Sequence, residues 1–389
     1  MVRRFGYTFE QMRLPPFEME RLQSIWEHQV AWNLSESGVE PLRVEELARS
    51  EAEREAVMRQ ALGYTQTNGT RELRGLIASM YPGAQPDNVT VTNGGSEANL
   101  VTLMHLLEPG DEVVLMTPNY MQAPGLASAL QARVTAWPLR LNAGRTRWEP
   151  DLAALRSAAS DRTKIIFICN PNNPTGSRLT SAELDEVCAV ARRCGAWVVS
   201  DEIYRGAEMD GSDTPTAWGR YERVIVTSGL SKAYGLPGLR IGWLVAPPEL
   251  AGTLWGVHDY TTIAPGAVSD VLARIALSPA GRERLLARTQ GIIRANYPIV
   301  KRFMQGRPGL FEHVAPEAGA IVFVRYRHDI NSSDLVNRLR EEQSVLVVPG
   351  DHFQMDRHLR IGFGSHPEHL TGSLGRIAEL MDRIPAVAR

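Results

Sequence analysis

Residues 227–243 read T-S-G-L-S-K-A-Y-G-L-P-G-L-R-I-G-W, and the residue to explain first is Lys232. The chain carries 42 lysines and arginines, yet its lysines are Lys164, Lys232 and Lys301 alone. Arginine supplies positive charge almost everywhere else. A guanidinium does not deprotonate in a protein, so it cannot stand in where an amine must react. A lysine kept among small residues and followed by glycines points to amine chemistry, such as a Schiff base with a carbonyl. A lysine that merely tops a surface loop is the other reading of the same residues. The neighbouring segments decide between them.

Outward from this stretch, short apolar runs at 89–92, 112–116, 134–137, 164–169, 197–200, 223–227 and 241–245 read as strands. Helical periodicity fills 121–131, 150–158 and 181–194 between them. The alternation predicts an α/β fold: a large domain built on a mostly parallel sheet with helices on both faces, three layers in all. Ligands in such sheets bind beyond the carboxyl ends of the strands. The loops after Thr92, Met116, Cys169, Ser200 and Thr227 should therefore carry the chemistry, and each holds a polar or glycine cluster. After Thr92 comes N-G-G-S-E-A, opening a helix to Leu107. A helix start there aims N–H groups at an anion, although glycines serve tight packing equally well.

Upstream, 62–81 turns through Asn68-Gly69 into a helix capped by Thr70. The acid-rich 44–60 predicts a helix with a solvated face, and 33–41 is a turn-rich segment with too few apolar residues for a core. Residues 1–31 hold Pro15-Pro16 and a helical pattern, Met19, Leu22, Ile25 and Trp26, suited to an arm on a partner subunit. Downstream, 266–306 is helical with a break near Ser278-Pro279. Strands near 311–314, 321–325, 345–348 and 358–363 then mix with helices at 332–342 and 367–383, a small α+β C-terminal domain. A length of 389 residues suits more than one core. The expected division is an arm and substrate loop at 1–45, a large domain at 46–285 and a small one at 286–389.

A net charge of -2 offers no field to attract nucleic acid or an anionic membrane. No apolar run approaches the ~20 residues of a membrane helix. Cys169, Cys188 and Cys194 show no metal-ligand spacing, and their odd number with no signal-like start points to the cytoplasm.

Taken together, N-P-N-N-P-T-G at 170–176, D-E-I-Y at 201–204, S-K-A-Y-G-L-P-G-L-R-I-G at 231–242 and L-R-I-G-F at 359–363 resemble the fold-type I pyridoxal phosphate (PLP) enzymes of the class I/II aminotransferase family. The matches run in order from Tyr64 to Arg360. The resemblance implies that Lys232 bonds the cofactor aldehyde and, once displaced, moves the substrate α-proton. It implies that Asp201 pairs with the pyridine nitrogen, that Tyr204 and Asn173 donate to the ring hydroxyl oxygen, and that Tyr120 stacks on the ring. Gly95, Ser96, Ser231 and Arg240 would hold the phosphate, joined by Tyr64 from a neighbouring subunit. That last role implies a homodimer with shared sites. Arg360 would grip the substrate α-carboxylate, with Asn173 and Gly38 beside it. One position departs from the family: three residues before the lysine stands Gly229, where Ser or Thr often binds the phosphate, with Ser228 beside it.

An amino acid and a 2-oxo acid are the implied substrates, and transamination is the expected reaction. A β-lyase or a cyclase on a modified amino acid is the alternative, since S-E-S-G-V-E-P at 35–41, H-D-Y-T-T-I at 258–263 and V-L-V-V-P-G at 345–350 resemble more loosely the branch that includes capreomycidine synthase. Ser35, Glu36 and Glu40, with His258, Asp259 and Tyr260, are the candidates to read the side chain. Their carboxylates favour a neutral-polar or cationic group over a second carboxylate.

Overall fold

The computed structural model describes residues 13–384. Its centre is an eight-stranded sheet in the order 89–92, 242–245, 224–229, 197–201, 163–169, 112–117, 133–141 and 148–150. The strands from Val224–Gly229 to Arg133–Leu141 run parallel, while Gly242–Val245 is antiparallel to both neighbours and Trp148–Pro150 closes the far edge antiparallel. Val89–Thr92, Val224–Gly229 and Gly242–Val245 are buried along their whole length, as strands covered on both faces must be. Separate apolar clusters lie on the two faces: Val114, Ile166, Val198 and Val226 on one, Val113, Ile165, Val199 and Ile225 on the other. Successive residues of each strand thus feed opposite layers.

A four-stranded antiparallel sheet, 311–313, 321–326, 358–362 and 348–349, carries Ser332–Gln343 and Pro367–Met381 and has its own apolar cluster. The break at 278 is a capped junction between Ala267–Leu277 and Pro279–Gln305. Ser278 Oγ accepts from Gly281 N at 3.1 Å, with Pro279 at the first helical position. A Cβ on Gly281 would lie 2.1 Å from the Ile275 carbonyl, so only glycine lets the two helices meet this closely.

Two expectations need correction, and one helix stands where none was anticipated. The helix at 44–60 is two, Val44–Leu47 and Glu51–Met58, because Ser50 caps the second and Glu53 bonds back to the Ser50 amide. Pro248–His258 is a helix that the strand-and-loop pattern does not announce. It packs over Val89–Thr92, where Thr90 Oγ1 donates to Ala251 O at 3.1 Å. Segment 33–41 does enter a core. Trp32–Asn33 pairs parallel with Val345–Leu346, and Leu34 and Val39 are buried in the small sheet's cluster. Two glycines admit it: a Cβ on Gly362 would meet Glu36 O at 2.0 Å, and one on Gly364 would meet Gly38 O at 2.1 Å.

Helix Glu18–Trp26 lies on its own chain, with Gln23 Nε2 donating to Ser35 O at 3.0 Å. Residues 1–12 of the expected arm lie outside the described residues. No helix among the described residues is long and apolar enough to cross a membrane.

Candidate active site

Loops beyond the carboxyl ends of the strands, helix Glu18–Trp26 and strand His358–Gly362 enclose a cavity of about 320 Å³. Its wall brings together Gly95, Ser96, Tyr120, Asn173, Asp201, Tyr204, Ser231, Lys232, Arg240 and Arg360, ten of the twelve residues expected to hold the cofactor and the α-carboxylate.

Asp201 ends strand Trp197–Asp201 and is 7% exposed. Its Oδ2 accepts from Asn99 Nδ2 at 3.0 Å and its Oδ1 from Ile203 N at 3.1 Å. Thr227 Oγ1 donates to Asn99 Oδ1 at 2.6 Å and so fixes which way that amide faces. Burial pushes the Asp201 carboxyl up, against the pull of these two bonds. Among the described residues no cation pairs with it, an expensive state for a buried carboxylate. A protonated ring nitrogen would supply the missing charge.

Lys232 follows strand Val224–Gly229, and its Nζ lies 3.4 Å from Glu36 Oε2. Tyr204 is buried and donates to Ser37 Oγ at 2.8 Å. Tyr120 donates to Glu20 Oε1 at 2.7 Å, its ring 5.0 Å from that of Phe17. Arg360 is 1% exposed. Its Nη1 donates to Asn173 Oδ1 at 3.0 Å, its Nη2 to Ser35 O at 2.6 Å, and its Nε is buried with no partner. Burial pulls the guanidinium's pKa down. A buried arginine with a donor to spare suits an anion arriving from the cavity.

The remaining groups converge at the start of helix Gly95–Leu106, where the first N–H groups lack intrahelical partners. Gly94 has φ 91°, and a Cβ there would stand 2.3 Å from Arg240 Nη2, so this backbone lies directly on the guanidinium. Arg240 is anchored by bonds to Pro237 O at 3.0 Å and Asn93 O at 3.3 Å. Beneath the turn Glu97 accepts from Asn93 N and Thr262 Oγ1 and faces His258 Nε2 at 3.2 Å. Burial raises the Glu97 pKa, but His258 and these hydrogen bonds overcome it and hold the carboxyl at about 2.

The departure at Gly229 has a steric cause. A Cβ there would lie 2.9 Å from Ile241 O, so serine or threonine does not fit. Nor does Ser228 replace it: its hydroxyl donates to Glu202 O at 3.2 Å, away from the cavity, and Ser231 stands on the wall instead.

Two site residues are elsewhere. Tyr64 is 85% exposed and away from its own chain's cavity. Gly38 lies just behind the wall, where a Cβ would come within 3.8 Å of Lys232 Cδ. Of the side-chain readers, Glu36 alone lines the cavity. Ser35 offers only its carbonyl, and Glu40 is exposed, its carbonyl accepting from Arg288 at 2.7 Å. His258 is buried against Glu97, and Tyr260 is 91% exposed. Helix Glu18–Trp26 and the residue after it add Met19, Glu20, Gln23, Ser24 and Glu27 to the wall. The sequence does hold that signal, since the polar residues at 20, 23, 24 and 27 share one helical face. Asn99 has no comparable signal.

An amine, an uncompensated buried carboxylate, a cradle of amides with an arginine and a second, half-satisfied arginine are the donor set that PLP and an amino acid require. The residues present fit that cofactor, and the fold is that of the fold-type I PLP-dependent transferases. Residues 32–377 match the aminotransferase class I and II family; the chain belongs to it and is a PLP-dependent enzyme acting on an amino acid. It is similar to capreomycidine synthase of Streptomyces vinaceus, 32% identical over 80% of this chain and 79% of that one. It is also similar to an aspartate aminotransferase of Thermotoga maritima, 27% identical over 82% and 83%. A solved PLP-dependent aminotransferase from Streptococcus suis superimposes with TM-score 0.89, at 31% identity and 97% and 100% coverage.

Proposed function

We propose that the chain moves the amino group of an α-amino acid to a 2-oxo acid, with the cavity residues in the roles their positions suit. When bound, PLP supplies an electrophilic aldehyde and an electron-withdrawing ring. Asp201 holds the proton on the ring nitrogen, and its buried, unpaired carboxylate is the observation that carries the reading. Gly95, Ser96, Ser231 and Arg240 would hold the phosphate, Tyr204 and Asn173 would donate to the ring hydroxyl oxygen, and Tyr120 would pack on the ring. Lys232 binds the aldehyde and, when released, carries the proton to and from the substrate α-carbon. Arg360 and the Asn173 amide orient the α-carboxylate, which fixes the bond to be broken.

The active unit is a homodimer in the cytoplasm. Exposed Leu62, Tyr64 and Tyr260 lie on segments that Thr65 Oγ1 ties together through Pro265 O at 3.1 Å, a face suited to a second copy. Tyr64 then reaches the partner's phosphate site. The chain divides as 1–45, 46–285 and 286–389, with Leu34 and Val39 joining the last unit's core. The wall carboxylates Glu20, Glu27 and Glu36 favour neutral or cationic side chains over acidic ones. A cyclase or β-lyase on a modified amino acid is the second reading, favoured by the likeness to capreomycidine synthase.

A panel of amino acids mixed with the PLP enzyme decides between them. Conversion of the cofactor absorbance to that of pyridoxamine phosphate supports transamination. Pyruvate and ammonia release with the cofactor spectrum retained supports β-elimination, and a cyclised product supports the cyclase. A preference for glutamate or aspartate over every neutral and basic amino acid refutes the side-chain reading.

A further inference from the structure

Glu36 has no part in holding cofactor or α-carboxylate, yet its carboxylate is the one that meets Lys232. Its backbone is fixed on one side by the close approach of Gly362 to its carbonyl and on the other by the bond from Arg360 to Ser35 O at 2.6 Å. From there Oε2 stands 3.4 Å from Nζ, with the Glu36 side chain 52% exposed and that of Lys232 23%. Burial pulls the Lys232 ammonium's pKa down; Glu36 first, then Tyr204 and Glu20, pull it up against Arg360, and the net direction is up. Lys232 in turn is the foremost cause, helped by Arg360 and the Gly38 amide, that holds the Glu36 carboxyl down. Glu27, just past the end of the facing helix, has its own pKa raised, by burial first and then by Glu36, so it gives up its proton less readily than an exposed carboxyl and Glu36 remains the carboxylate that answers Lys232.

We propose that Glu36 is the counter-ion of the released Lys232, and so favours every state in which the lysine has left the cofactor. The proposal rests on the reading that Lys232 bonds the PLP aldehyde. Were an amino acid to displace the lysine, a carbon–nitrogen bond to the substrate would form, the bond to Nζ would break, and two protons would pass from the incoming ammonium to Nζ, leaving one on the substrate nitrogen. No electrons change owner. The new ammonium faces Glu36. Without that carboxylate it would be a cation in the same cavity as Arg360, and the exchange would shift back toward the lysine-bound state. Glu36 acts through Lys232 and is a positioning residue.

With Lys164, Lys232 and Lys301 the only lysines, the test resolves single residues. Holoenzyme carrying ¹³C-lysine is held in the pyridoxamine phosphate form, where the lysine is free, and each Cε resonance is titrated. Glu36→Gln should lower the Lys232 midpoint by about one unit, tenfold in the neutral fraction, and leave the other two where they were. Glu36→Asp should restore part of the shift. In the PLP form, amino-acid titration by absorbance should show about a tenfold weaker apparent affinity in Glu36→Gln. An unmoved Lys232 midpoint overturns the proposal. Failure of the Lys232 resonance to respond when the cofactor is switched between its two forms refutes instead the reading that this lysine bonds PLP.

Discussion

Asp201→Asn separates the electron-withdrawing role of the carboxylate from its place in the fold. The amide is nearly isosteric, so the cavity keeps its shape. What changes is charge and donor direction. Asn99 already turns its Nδ2 toward position 201, held by the bond from Thr227 Oγ1, and Ile203 N donates on the other side. An asparagine can accept one of these and must turn its own NH2 on the other, a loss of about 1 kcal/mol. Against this, a carboxylate whose pKa is raised by burial stabilises the cofactor-free fold only below the ordinary carboxylate range, and that contribution is lost as pH rises through the raised value. At neutral pH the two effects oppose each other, and the cofactor-free variant should melt within roughly 5 °C of the parent. Catalysis has no such compensation. Loss of a buried charge-assisted bond to the group that stabilises the transition state costs about 3 kcal/mol. That is a fall in rate on the order of a hundredfold. The assay is exchange of the substrate α-proton for deuterium, followed by NMR with the variant saturated with PLP. Exchange within threefold of the parent's would refute the assignment of Asp201 to the ring nitrogen.

Borohydride reduction of the PLP enzyme should leave a pyridoxyl group on Lys232, and Lys232→Ala should abolish α-proton exchange; a label on Lys164 or Lys301 contradicts the site. Tyr64→Ala and Lys232→Ala chains refolded together should recover part of the activity that each lacks, while a strict monomer in sedimentation rules out sharing. Glu97 is held at about 2, so its contribution is fully present above the ordinary carboxylate value and is lost as pH falls toward 2. Glu97→Gln should therefore flatten the denaturation free energy between roughly pH 5 and pH 2 and weaken PLP retention at pH 7; a variant with the parent's acid profile shows that the carboxylate does not matter there.

The large sheet was legible because each strand is a short apolar run closed by a polar or glycine loop, and those loops hold the site. The junction at Ser278-Pro279 was legible for the same reason, a cap followed by proline. Segment 33–41 misled because only Leu34 and Val39 give it apolar side chains in the core, and the backbone contacts with Gly362 and Gly364 that seat it are not registered by apolar counting. Asn99 was hidden inside a helix, where its value comes only from the Thr227 hydroxyl across the sheet. Glu36 was legible as a carboxylate near the substrate, but its partner was not, since Lys232 is 196 residues away. His258 ends helix Pro248–His258 and Tyr260 follows it; the fold directs one inward to Glu97 and the other outward.

The arginine at 360 has one further consequence. Its bond to Ser35 joins two segments that both belong to the small sheet's side of the molecule, whereas its bond to Asn173 crosses to a loop of the large sheet. If the small unit swings as a body, the first contact travels with it and the second is stretched. A substrate carboxylate seated between Arg360 and Asn173 would then act as a latch across the seam. An amine of matching size but without the carboxylate would leave that seam unfastened.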